Sequence, residues 1–406
     1  MKHILLLLLF SATVYSQTPV ETPAIVPPPT PPVIQQKITE TFVSKKLNES
    51  REITIALPPS YETNSTKQYP VLVLLDGDYL FDPFLGALNY GAYWDDLPEI
   101  IIIGINQNKN DERINDSQYD ELNNLPTEKG AQFFEFVGVE LLPYIEKKYR
   151  VAPFRIIAGQ DTTAGFLNFY LYKDNPVFNA YISLSPELAP EMEMRIPENL
   201  AKIKRPTFYY QSTADGDLKD VIESVKILDA NIKVNPNPLL HYTYDHFKGA
   251  THYSAALYSI PNALYQFFDC YKPISMNEFT EKIAILQSGY VQYLKDKYDG
   301  IEKDLGYRVP VRTTDFKAIE AAILKNKAYD ELDELSQIAD KNYPKSMLAN
   351  YELGLMYEKM DDPKRAAKAY QKATQMEPIG DLTLELMSSK FDEMQTKSQI
   401  QSQKNR

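Results

Sequence analysis

Hydrophobic residues along this chain fall into short unbroken runs and longer periodic stretches, and their alternation outlines the architecture. Val71-Leu72-Val73-Leu74-Leu75 and Ile100 to Ile105 are apolar at consecutive positions. Such runs suit strands buried on both faces, as in a parallel sheet covered by helices. Ile38 to Ser44 and Glu52 to Leu57 are predicted strands joined by the polar turn Lys45 to Ser50. Phe154 to Ala158, Ala180 to Leu184, Thr207 to Tyr210 and Leu239 to Tyr244 continue the series. Between strands, Gln132 to Tyr149 carries Phe133, Val137, Leu141 and Ile145 at helical spacing, and Thr162 opens a further helix. The expected fold over residues 37–271 is α/β, a predominantly parallel sheet with helices on both faces.

Beyond Pro273 the strand-like runs stop. Asn277 to Lys297, Asp315 to Lys325 and Tyr329 to Ala339 read as helices, which gives a small all-α domain over residues 272–387. Within it, residues 347–380 place Leu353-Gly354, Tyr357, Ala366, Tyr370, Ala373 and Pro378 at the offsets of one tetratricopeptide-like (TPR-like) repeat. Asp361-Asp362-Pro363 makes the turn between its two helices, with proline in the first turn of the second. Asn350 stands where a bulky aromatic is common. The polar tail 388–406 is expected to fray, or to fold only against a partner.

At the other end, a short basic start precedes the apolar run Ile4 to Phe10, and small and polar residues lead to Ser16. Residues 1–16 therefore read as a secretory signal peptide, with an apolar core too short to span a bilayer. Residues 17–36, with Pro27-Pro28-Pro29 and Pro31-Pro32, read as an extended proline-rich spacer. No later segment approaches spanning length, so no transmembrane segment is expected in the mature chain.

Composition narrows the partners. A net charge of −12 argues against nucleic acid. One cysteine, Cys270, excludes an internal disulfide, and four histidines leave little for a metal site, so no metal and no cofactor are expected. The loop Asn106 to Leu125 is acidic but lacks the spacing of a calcium loop, and it reads as a solvated cover over the site mouth. Twenty-nine tyrosines can fill a core and serve wet interfaces.

The chemistry centres on Ala158-Gly159-Gln160-Asp161-Thr162-Thr163. A strand-to-helix elbow that presents a nucleophile uses small residues two before and two after it. Gly159 keeps the first; Thr163 replaces the second and suggests a relaxed elbow. Together with Tyr69 to Gly77, Phe178 to Pro186 and Gly249-Ala-Thr-His252-Tyr-Ser254, this segment resembles the putative-esterase family of α/β-hydrolases. That family includes ferric-siderophore and feruloyl esterases. The resemblance implies that Asp161 stands where the serine would be and His252 where the base would be. Asp215 is the first candidate for the acid and Asp217 the second. The Asp76-Gly77-Asp78 loop stands where an oxyanion donor lies. Ser183, Ser185, Ser212 and Ser254 are expected to be structural, and His241 and His246 to be surface or filler residues.

Loss of the serine leads to the expectation of a chain that is not an enzyme. It would be an esterase-like binding or assembly subunit of a periplasmic or outer-membrane-associated complex, acting in secretion or uptake. Its partner would be an envelope protein, with a peptide or glycan as the other ligand choice. The leader followed by Gln17 resembles those of Bacteroidota secretory proteins. The alternative is an active hydrolase with Asp161 as an atypical nucleophile, acting on an ester-linked carbohydrate or siderophore.

Overall fold

A computed structural model describes residues 37–404. The leader and spacer expected at 1–36 lie outside the described residues. Eight strands form one sheet: β1 (Lys37–Ser44), β2 (Glu49–Ala56), β3 (Tyr69–Leu74), β4 (Ile101–Ile105), β5 (Val151–Gln160), β6 (Ala180–Leu184), β7 (Thr207–Gly216) and β8 (Leu240–Thr251). Their spatial order is β1-β2-β4-β3-β5-β6-β7-β8. The β1–β2 and β2–β4 pairings are antiparallel and all the others parallel. Every residue of β3, β4 and β6 is buried, as expected of strands with helices on both sides. This is the α/β-hydrolase-like architecture that the sequence implies.

The helices of this part are α1 (Gly77–Tyr93), α2 (Glu112–Ser117), α3 (Glu128–Glu135), α4 (Leu142–Lys148), α5 (Thr162–Leu167), α6 (Met192–Leu200), α7 (Lys219–Val234) and α8 (Ala255–Phe267). A π-helical turn, Phe136–Leu141, joins α3 to α4 where the sequence predicts one regular helix. Pro143 supplies no N–H to the carbonyl four residues back, and a wider turn is one way to accommodate that loss.

Two strands run further than their apolar cores predict. β7 and β8 stay paired past Tyr210 and Tyr244, to Ala214↔Phe247 and then Gly216↔Thr251. Their outer halves are held by polar cross-strand bonds such as Thr213 to Tyr244 (2.8 Å), which hydrophobic patterning cannot reveal. This ribbon carries the acid and base of the site.

The helical part contains α9 (Tyr290–Leu305), α10 (Thr313–Asn326), α11 (Glu331–Asn342), α12 (Leu348–Lys359), α13 (Pro363–Ala373) and α14 (Leu384–Lys404). One apolar core runs from Phe208, Phe267 and Phe268 of the sheet part through Tyr271 into Ile283, Leu294 and Ile301. Arg312 reinforces the junction: its Nε lies 2.7 Å from an Asp95 carboxylate oxygen, and its guanidinium stacks 4.0 Å from the Tyr271 ring. In the repeat, a Cβ added at Gly354 would come within 2.5 Å of the Tyr370 ring, so close approach of α12 and α13 requires a glycine there.

The tail expected to fray is instead the helix α14. Met387 and Met394 are buried and Phe391 packs between them, one stripe in an otherwise polar segment. Lys390 donates to Glu358 at 2.9 Å and Gln401 to Asp361 at 3.1 Å, which tie the helix to the repeat. Among the described residues no helix is long and apolar enough to cross a membrane.

Candidate active site

Asp161 lies between the end of β5 and the start of α5, with φ 59° and ψ −120°. A non-glycine residue held there costs about 1–3 kcal/mol and persists only where its surroundings enforce it. Here they do. The Asp161 N–H donates to Leu184 O (2.9 Å), and its carbonyl accepts from Gly165 N (3.0 Å) and Glu187 N (3.1 Å). A Cβ on Gly159 would meet the Thr163 hydroxyl at 2.7 Å, which explains the first small residue of the elbow.

Thr163 does not relax the turn as its β-branch suggests. It is fully buried, and its hydroxyl donates to the Asp76 carboxylate and accepts from Gln160 N at 3.0 Å. The bulk that would disturb a glycine position is converted into a polar tie across the elbow. Asp76 thus differs from a simple oxyanion-loop residue: its side chain points inward, fully buried, and is ion-paired to Arg113 Nε at 2.6 Å.

Arg113 is the functional residue that sequence reasoning missed. Besides Asp76, it donates to Gln160 O (2.9 Å) and brings its Nη1 to 3.6 Å from the Asp161 carboxylate. Burial works against its charge, but Asp76 outweighs that and holds its pKa above the ordinary value. Its helix α2 is anchored by the buried Arg51, which pairs with Asp116 (2.7 Å) and Glu112 (2.6 Å). The Asn106 to Leu125 loop is therefore not merely solvated. The available signal was a single arginine in an acidic stretch.

On the β7–β8 ribbon the structure reverses the order of the acid candidates. Asp217 Oδ1 lies 2.7 Å from His252 Nδ1, with the aspartate side chain fully buried. The other oxygen of Asp217 accepts from Ser185 Oγ (2.9 Å) and Ala214 N (2.7 Å). Asp215 faces away, 54% exposed, and contacts His246 Nε2 at 3.0 Å and Gly249 N at 2.8 Å. Asp215 belongs to the strand, whereas Asp217 follows its last residue, Gly216, and turns inward. Ser185 is accordingly a support for the acid.

The hydrogen bond that His252 donates to Asp217 is the main reason that the His252 pKa is raised; burial opposes it and the charge of Asp161 adds to it. Gln160 ties the two halves of the site, its Nε2 donating to His252 O at 3.1 Å. The structure therefore brings Asp161, His252 and Asp217 into one electrostatic unit with Arg113, and leaves Asp215 outside it.

This geometry has relatives. The Putative esterase family is matched over residues 44–225. A solved structure described as an uncharacterised protein from Capnocytophaga ochracea is 31% identical, with 89% of this chain and 100% of that one covered and a TM-score of 0.79. An IroE-like serine hydrolase from Shewanella oneidensis is 18% identical, with coverage of 83% and 98% and a TM-score of 0.57, and shares the fold. No curated protein matches the chain. The matched family is one of esterases, and this overturns the expectation of a non-enzyme: it points to an enzyme and gives no sign of lost activity. The non-catalytic assembly role finds no support in these comparisons. The substituted side chain is one group in a site whose strained turn and histidine–aspartate pair are both present.

Proposed function

This chain belongs to the Putative esterase family of α/β-hydrolases, and on that premise we propose that it hydrolyses carboxylic esters with Asp161 as the nucleophile. The observation that carries the reading is a strained, partly exposed Asp161 whose charge acts on a His252 held by a buried Asp217.

In this reading an Asp161 carboxylate oxygen attacks the ester carbonyl carbon. The developing oxyanion meets the Thr162 N–H and an N–H opening α1, the two sources such a fold offers. Collapse expels the alkoxide, which takes the proton of the His252 imidazolium and leaves as alcohol. The acyl group now forms a mixed anhydride on Asp161. Water attacks its acyl carbon while neutral His252 takes the water's proton. The free acid departs, and the Asp161 carboxylate and the imidazolium are restored. Asp217 stabilises the imidazolium, and Arg113 steadies the Asp161 carboxylate between turnovers.

The raised His252 pKa suits this sequence, because the resting enzyme needs a proton to give rather than a lone pair to take one. Esters of carbohydrates or siderophores remain the substrate class of this reading, and the leader-like sequence of residues 1–16 supports a periplasmic setting for it. The test is hydrolysis of an ester panel containing a feruloyl sugar ester and a siderophore lactone. Turnover of either by the wild-type chain, lost in Asp161→Asn, supports the proposal; inertness toward the whole panel counts against it.

A further inference from the structure

Glu352 on α12 is fully buried, and neither of its carboxylate oxygens has a hydrogen-bond partner. A buried acid left so is costly, and in native structures it ordinarily has a counterpart. Glu352 lines a cavity of about 240 Å³ together with Phe316, Glu320, Tyr351, Ile379 and Asp381.

The cations nearby are engaged elsewhere. Lys317, also on the wall, pairs with Asp381 at 2.6 Å, and Lys390 reaches Glu358 at 2.9 Å. Among the described residues Glu320 receives the Tyr351 hydroxyl, at 3.2 Å. Burial pushes the Glu352 carboxyl well above its ordinary value, and the neighbouring Glu320 adds to the shift. Three acids thus line one small cavity, Glu352, Glu320 and the Lys317-paired Asp381, together with the apolar Phe316, Leu348, Ile379 and Leu382.

We propose that this cavity receives an alkylammonium group, its charge on Glu352 and Glu320 and its methylenes against Phe316 and Ile379. At 240 Å³ it is below the roughly 300–1,000 Å³ of pockets for larger ligands, and it suits one aliphatic stem with its head group. Such a group comes either from a small free amine or from a lysyl side chain of a peptide. Its arrival ionises Glu352, so binding releases a proton and tightens as pH rises.

The full chain is titrated calorimetrically with n-butylamine, with a lysine-centred glycyl pentapeptide capped at both ends, and with n-butanol. We expect an amine to bind with proton release, n-butanol not to, and Glu352→Gln to weaken binding at least tenfold while melting as a folded protein. Should Glu352→Gln fail to fold, Glu320→Gln must weaken binding in its place. Binding of n-butylamine alone assigns a free amine, and tighter binding of the pentapeptide assigns a lysyl side chain. No binding of either amine, equal binding by n-butanol, or unchanged affinity in the folded variant overturns the proposal.

Discussion

Two histidine–aspartate pairs hang from the same β7–β8 ribbon, and their acids live in different surroundings. Asp217 is buried and accepts from Ser185, the Ala214 amide and His252. Asp215 is open to water and holds His246 beside the Gly249 amide. Both aspartates are close to an imidazole, so proximity alone does not distinguish them. Burial does, because an ion pair screened by water contributes little, while a desolvated and fully hydrogen-bonded carboxylate fixes its histidine's tautomer, orientation and charge. The comparison teaches that the acid of such a site is identified by what holds it, not by which histidine it touches.

The sharpest way to break the comparison is to neutralise each acid in turn. Asp217→Asn is expected to lower kcat/KM for an ester by roughly 10³–10⁴-fold, as loss of the orienting acid does in related triads. Steady-state kinetics on the folded variant check it. Next in size, Arg113→Met leaves the buried Asp76 without its cation. Because Arg113 is partly exposed, the cost should be about 2–3 kcal/mol, below the ~3–5 kcal/mol of fully buried pairs, read as a shift in urea unfolding at unchanged m-value. Thr163→Val removes the hydroxyl that joins Asp76 to Gln160 N and should cost about 1–3 kcal/mol, measured in the same way. No loss there would mean that the elbow does not depend on this tie.

A pH profile sharpens the contrast further. His252 has a raised pKa and acts first as an acid, so kcat/KM should fall as pH rises through that pKa, about tenfold per unit beyond it. A histidine acting first as a base gives the opposite limb. Asp217→Asn removes the chief cause of the raised value and should move the limb to lower pH. The smallest effect belongs to the exposed pair: Asp215→Asn should leave kcat/KM within about twofold, since water screens an exposed pair.

Much of the fold was legible because β3, β4 and β6 are apolar at every or nearly every position, and only a strand covered on both faces needs that. The outer ribbon was not, because Thr213 and Asp215 bond across the strands through polar side chains, and such a segment resembles a loop in sequence. The tail was misread for a similar reason: Met387, Phe391 and Met394 form too thin a stripe to stand out from their polar neighbours. At the site, Asp161 and His252 were found from the elbow and its closing segment. Asp217 ranked behind Asp215 because two residues of sequence separation cannot show which carboxylate turns inward. Arg113 reaches the elbow from a separate helix positioned by Arg51, a tertiary arrangement without local signature.

Asp161 is proposed to carry the acyl group of the ester between the two half-reactions. The measurement that tests it most directly is rapid acid quench of the wild-type chain during turnover of a hydrolysed ester, with mass spectrometry of the peptide containing Asp161. The account predicts an acyl mass increment on Asp161, absent in Asp161→Asn. Ester turnover that persists in Asp161→Asn, with no increment on that peptide, would contradict it.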